Sequence, residues 1–65
     1  MSFLEFKSSV LRYAGKSGVS VIKIYHDDDK GLNVAILPGL KITGNSSSRK
    51  VTIHGANGRK FMAVL

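Results

Sequence analysis

The spacing of apolar residues changes once along the chain, near Gly18. Before it, Phe3, Phe6, Val10 and Tyr13 recur at helical intervals, and Leu4, Leu11 and Ala14 widen the stripe. Ser2-Phe3-Leu4-Glu5 has the S-x-x-E form of a capping box, in which hydroxyl and carboxylate each accept from the other residue's amide. Gly15 or Gly18 is a natural left-handed stop. The pattern predicts one helix over about residues 3–14. Three of the chain's aromatic residues fall on it, at the spacing of a buried face rather than of a ligand box.

After Gly18 the period is two. Val19 to Tyr25 is β-branched and aromatic, as strands are. Asp27-Asp28-Asp29-Lys30-Gly31 is turn chemistry, and Leu32 to Leu37 reads as a second strand. A bulged loop there pairs even positions with even positions. Ile22 and Ile24 are then expected to share the core face with Leu32, Val34 and Ile36. The opposite face carries Val21, Lys23, Tyr25, Ala35 and Leu37, which is unusually apolar for a solvated surface. Pro38-Gly39 reads as a turn and a break in the sheet. Leu40 to Thr43, Val51 to His54 and Phe61 to Val64 complete the strands, with Gly44 to Ser48 as a polar loop.

Asn57-Gly58 is a strong hairpin signal. Taken as a two-residue turn, it sets His54 opposite Phe61, Ile53 opposite Met62 and Val51 opposite Val64. Val51, Ile53, Met62 and Val64 then form a core face, and Thr52, His54, Phe61 and Ala63 the outer one. The expected fold class is α+β: one N-terminal helix on a four- to five-stranded, mainly antiparallel sheet. The competing arrangement is a small, partly open β-barrel with one helix.

Sixty-five residues make a single domain, residues 1–65, with a small core. There is no cysteine to supply a disulfide or thiolate site. No apolar run reaches transmembrane length, and the first residues lack the basic and apolar regions of a signal peptide. A cytoplasmic protein without membrane contact is the expectation.

Charge changes the picture most. The formal net charge is +6. Lys7, Arg12, Lys16 and Lys23 balance Glu5, Asp27, Asp28 and Asp29. Beyond residue 29 there are Lys30, Lys41, Arg49, Lys50, Arg59 and Lys60, and no acid. Such an excess marks either a solubilising surface or a face for a polyanion.

Several chemistries fit poorly. Gly15-Lys16-Ser17 ends like a phosphate-binding loop, but the glycine required five residues earlier is Val10, and the run closes a helix instead of opening one. His26-Asp27-Asp28-Asp29 is rich in hard oxygen donors. As an EF-hand loop, however, it would need glycine where Leu32 stands and glutamate where Pro38 stands. No spacing joins a nucleophile to a base, and a chain of this size encloses little substrate. No enzyme activity, cofactor or metal is expected.

The reading that fits is a small, non-catalytic, nucleic-acid-binding protein, for DNA or RNA, held by phosphate contacts. The candidate residues are Lys41, Arg49, Lys50, His54, Arg59 and Lys60. In the two-residue register the Arg49-Lys50 and Arg59-Lys60 pairs lie about 25–30 Å apart, so they form no compact patch. His54 and Phe61, adjacent on the outer face, are candidate stacking groups. The alternative is a regulator or inhibitor of the phage or plasmid type, docking on an acidic surface of a host protein. A homodimer is expected, since the second apolar sheet face needs cover.

Overall fold

The computed structural model describes residues 1–65. It has the α+β architecture: helix α1 (Phe3–Ser17) lies on one open sheet of five antiparallel strands. The strands are β1 (Lys23–Asp27), β2 (Leu32–Leu37), β3 (Leu40–Asn45), β4 (Lys50–His54) and β5 (Lys60–Val64). They neighbour one another in chain order, with β1 and β5 at the edges, so the sheet is an open meander and not a barrel.

The helix begins with the capping box read from the sequence. The Glu5 amide donates to Ser2 Oγ (3.2 Å), and the Ser2 amide donates to Glu5 Oε1 (3.1 Å). It ends at Gly18, whose φ of 69° is the left-handed conformation that glycine takes without steric cost. Gly15-Lys16-Ser17 forms its last turn. The buried stripe is narrower than expected. Phe6, Val10 and Ala14 are buried, whereas Leu4, Leu11 and Tyr13 are exposed. Burial at i, i+4 and i+8 is the contact line of one helix on one sheet.

The face of the sheet beneath α1 differs from the expected one. Asp27 pairs with Leu32 and Lys23 with Ile36, so the β1–β2 loop has four residues, Asp28 to Gly31. Asp27 Oδ1 accepts from the Asp29 and Lys30 amides (3.1 and 3.3 Å), an Asx turn that holds this length. Odd positions thereby pair with even ones. Relative to a bulged three- or five-residue loop this is a slip of one, and it turns β2 over. Ala35 and Leu37, expected outside, lie in the core at 0% and 2% exposure. Ile24 remains inside, but Leu32, Val34 and Ile36 face away from α1 with Lys23 and Tyr25. Pro38-Gly39 does not break the sheet. It is the two-residue connection of the β2–β3 hairpin, with Leu37 paired to Leu40.

The last hairpin slips in the same way. Asn57 (φ 64°, ψ 28°) and Gly58 (φ 74°) both adopt left-handed conformations, with the Arg59 amide directed to the Ala56 carbonyl. The expected Asn-Gly turn is therefore present. However, the Gly55 amide donates to the Arg59 carbonyl (2.8 Å), which leaves Ala56 as an extra residue. Ile53 pairs with Phe61 and Thr52 with Met62. Phe61 and Ala63 thus share the helix side with Val51 and Ile53, while Met62 and Val64 share the other side with Thr52 and His54. Both expected groupings are exchanged.

Two rows of paired residues run beneath the helix side: Ile24–Ala35–Ile42–Ile53–Phe61 and His26–Asn33–Gly44–Val51–Ala63. Phe6, Val10, Ala14, Ala35, Leu37, Ile42 and Val51 make one buried cluster, with Met1, Val21, Ile24, Leu40, Ile53, Ala63 and Leu65 around it. Burial of Phe6 contributes roughly 1.5–3 kcal/mol, large for a domain this small. Asn33 is 1% exposed. Its Oδ1 lies 2.7 Å from His26 Nδ1, and the Phe3 ring meets the His26 ring edge-on at 6.4 Å between centroids.

Gly44 and Gly15 predict opposite responses to alanine. A Cβ at Gly44 would fall 2.9 Å from Val51 Cγ1 and 3.3 Å from the Lys50 carbonyl. Gly44→Ala is expected to cost about 1–3 kcal/mol by crowding β4. At Gly15, inside α1, nothing lies within 4 Å of an added Cβ. Gly15→Ala should stabilise by about 0.5–1 kcal/mol through helix propensity. Urea denaturation of the two variants checks both signs.

Candidate nucleic-acid interface

The sheet face away from α1 gathers most of the candidate residues. One row of paired positions crosses all five strands: Lys23, Ile36, Lys41, His54, Lys60. At about 4.8 Å between strands it spans roughly 19 Å. Lys41 and Lys60 sit on either side of His54, each its direct cross-strand partner. The neighbouring row is Tyr25, Val34, Thr43, Thr52, Met62. Lys50 lies on the same face, paired with Val64.

A lysine on a sheet face can keep its ammonium group in water while its stem covers apolar neighbours. Lys23 Nζ sits 4.8 Å from the centroid of the Tyr25 ring, two residues along the same strand. His54 Nε2 lies 3.3 Å from Thr43 Oγ1. Val34 is only 3% exposed although no helix covers it. It is flanked by Tyr25 and Thr43 across the strands and by Leu32 and Ile36 along its own. The face is therefore apolar on β2, at Leu32, Val34 and Ile36, and on β5, at Met62 and Val64, and polar on β3 and β4, with basic groups at Lys23, Lys41, Lys50 and Lys60. Its one carboxylate, Asp27, is at the end of β1 and is engaged by its turn.

Arg49 and Arg59 do not belong to this face. Arg49 precedes β4 on the helix side. Its guanidinium donates to Glu5 Oε2 and to the Leu65 carbonyl, each at 3.3 Å. Arg59 leaves the last turn on the helix side, opposite Gly55. The basic pairs are also nearer than expected. Lys50 and Lys60 are four residues apart along the hairpin, about 14 Å, in a molecule measuring 27 × 24 × 20 Å. The slip shortens this separation by only one residue, from about 17 Å in the two-residue register; the roughly 25–30 Å expected for the pairs is longer than that register itself gives.

Phe61 and His54 lie on opposite faces, so they form no stacking pair. Tyr25 and His54 are the ring-bearing residues of the basic face. The Gly44 to Ser48 segment is also less open than a free loop. Asn45 Oδ1 accepts from the amide and hydroxyl of Ser47, and the Met1 ammonium donates to the carbonyls of Ser46 (2.8 Å) and Ser48 (3.1 Å).

Lys23 was not among the residues singled out from the sequence. The signal for it was parity: it occupies the non-core phase of β1, the same phase that Lys41 and Lys60 hold on their strands.

Other chemistry-bearing residues stay apart. No three His, Asp or Glu side chains converge to hold a metal ion. His26 Nε2 is 3.4 Å from Asp28 Oδ1, while Asp27 is taken up by its own turn. No helix is long and apolar enough to cross a membrane. Comparison with protein-family models, with curated proteins and with solved structures gives no match to this chain.

The Glu5 carboxyl is held below its ordinary pKa. The Ser2 amide is the largest cause, followed by the Ser2 hydroxyl. Desolvation opposes them, and Arg49 and the N-terminal ammonium add to the lowering. A carboxyl depressed in the folded state contributes stability above its unfolded-state pKa, and that stability is lost as pH falls through the folded value. Glu5→Gln is expected to lower the melting temperature at neutral pH and to flatten its decline into the acid range. Thermal melts of both proteins across that range check this.

Proposed function

We propose that this is a non-catalytic nucleic-acid-binding protein whose sheet face away from α1 lies along the phosphate backbone. The observation that carries the reading is the row Lys23–Lys41–His54–Lys60, which crosses the whole sheet with Lys50 beside it. Chain distribution of charge alone favours a polyanion only in general terms. The register turns it into a face of stated geometry, with lysines on four of the five strands and its lone carboxylate at one end.

Phosphate contacts of this kind release counterions, so affinity falls steeply with salt. They fix position along the strand without reading bases. Tyr25 and His54 offer limited stacking, and the Tyr25 ring already carries the Lys23 ammonium. Weak sequence preference follows. Arg49 and Arg59, on the other side, take no part in this contact.

Titration of duplex DNA, single-stranded DNA and RNA at several salt concentrations tests the reading. Binding should weaken steeply as salt rises. Lys41→Gln combined with Lys60→Gln should weaken it and lower the magnitude of the salt slope by roughly 1.5–2, the change expected for two lost phosphate contacts. Lys7→Gln with Lys16→Gln, on the helix, should change the slope little. Absence of binding to all three nucleic acids at low salt overturns the proposal. Retention of a stoichiometric acidic protein from nuclease-treated lysate would then favour a protein-docking face.

A further inference from the structure

The two edges of the sheet are unlike. On β1, Lys23 and Asp27 are charged, and Ile24 and Tyr25 are half-buried. Charges near an edge hinder another strand from pairing with it. On β5 the one charge is Lys60, at the start. Phe61, Met62 and Val64 are 56%, 74% and 70% exposed, and α1 does not reach over them.

The hydrogen-bonding direction of β5 follows from two bonds. The Gly55 amide donates to the Arg59 carbonyl, and the Leu65 amide donates to the Arg49 carbonyl (2.9 Å). In an antiparallel pair these groups alternate. Odd positions of β5 thus bond inward to β4. The amides and carbonyls of Lys60, Met62 and Val64 point out from the open edge.

We infer that β5 pairs antiparallel with β5 of a second copy of this chain, about a two-fold axis through Met62, giving a continuous ten-stranded sheet. In this register Lys60 faces the second copy's Val64, and Met62 faces Met62. All three outward positions then become hydrogen-bonded pairs. Shifting the pair by two residues either way leaves one outward position of each strand without a partner. The intervening Phe61 and Ala63 face each other as non-hydrogen-bonded pairs, where side chains approach most closely. A large exposed ring thus meets a small residue. Like charges stay apart, since the two Lys60 positions lie about 13 Å from each other along the strands, beyond the Debye length of about 8 Å in physiological salt.

The pairing has a consequence for the basic face. Lys50 is beside Val64, and Val64 is beside the second copy's Lys60. Each copy's row of Lys23, Lys41, His54 and Lys60 therefore runs on to Lys50 of the other. One lysine-bearing face spans both copies, with no acidic side chain at the seam.

Sedimentation equilibrium at tens of micromolar, on nuclease-treated protein in high salt, tests the pairing without nucleic acid. Its failure leaves the proposed phosphate contacts standing, and their failure leaves the pairing standing. The expected mass is twice 7.0 kDa. Met62→Pro removes an amide that bonds only across the axis, and Met62→Lys places two like charges there. Each should weaken association roughly tenfold or more while circular dichroism keeps the folded signature. Amide exchange of the unaltered protein gives a reading that needs no variant. The amides of Lys60, Met62 and Val64 should be protected at high concentration and lose that protection on dilution. A 7.0 kDa species throughout, or a dimer in which those three amides exchange freely, overturns the inference.

Discussion

One helix has to cover a sheet wider than itself, and most of this structure follows from that mismatch. A helix with its side chains is about 10–12 Å across, and five strands at about 4.8 Å span roughly 19 Å between the outer strand axes. α1 therefore lies nearest β1 and β2, shares its core with Ile42 of β3 and Val51 of β4, and leaves Phe61 on β5 exposed. Ala35, on β2 in the row beneath the helix, carries the smallest side chain that still has a Cβ. Its complete burial marks where the helix comes closest, between Phe6, Val10 and Ala14 above and Ile42 beside it. Phe61 is on the same side as these residues yet stays exposed, because it sits three strands from Ala35.

The position of α1 over β1 and β2 is held at its N-terminal end. Met1 donates to the β3–β4 loop, Glu5 pairs with Arg49 from the same loop, and the capping box fixes Glu5 for that contact. An exposed ion pair such as Glu5–Arg49 adds little stability by itself. Its effect here is geometric, since it joins the first turn of the helix to a loop more than forty residues further along the chain. The same contact takes Arg49 away from the basic face. The basic groups left on the open side are then lysines whose strands are set by the core.

Element type and order were legible in the sequence, but the faces were not, and the reason is arithmetical. A strand alternates with period two, so each loop length fixes the parity of everything after it. Asp27 to Gly31 reads equally well as several short loops. The Asx turn on Asp27 selects four residues, and β2 turns over. Asn57-Gly58 forms the turn its sequence calls for, yet Ala56 slips in beside it, and β5 turns over relative to β4. Neither choice is visible as apolar pattern, because β2 and β5 are each apolar on both faces. The basic site was legible as composition and only partly as a patch. Lys41, Lys50, His54 and Lys60 converge, Lys23 joins them through register, and Arg49 and Arg59 are carried to the other side. The Glu5–Arg49 contact, between residues 44 positions apart, has no local signature at all.

The slip in the last hairpin also decides what the open edge of the sheet presents. In the two-residue register, Met62 and Val64 would face the helix side with Val51 and Ile53, and β5 would show Phe61 and Ala63 on the open face. With Ala56 inserted, Met62 and Val64 join Lys50, Thr52 and Lys60 on the lysine-bearing side. Apolar side chains at a bare edge are a liability for a monomer, and charge is the usual protection. Lys60 alone supplies it on β5, whereas β1 has Lys23 and Asp27. The chain has ten lysines and arginines, so a scarcity of charge does not explain the bare edge. An unprotected β5 at one edge and a protected β1 at the other is the asymmetry expected of the pairing proposed for β5. A sheet extended in that way adds to the lysine face instead of covering it.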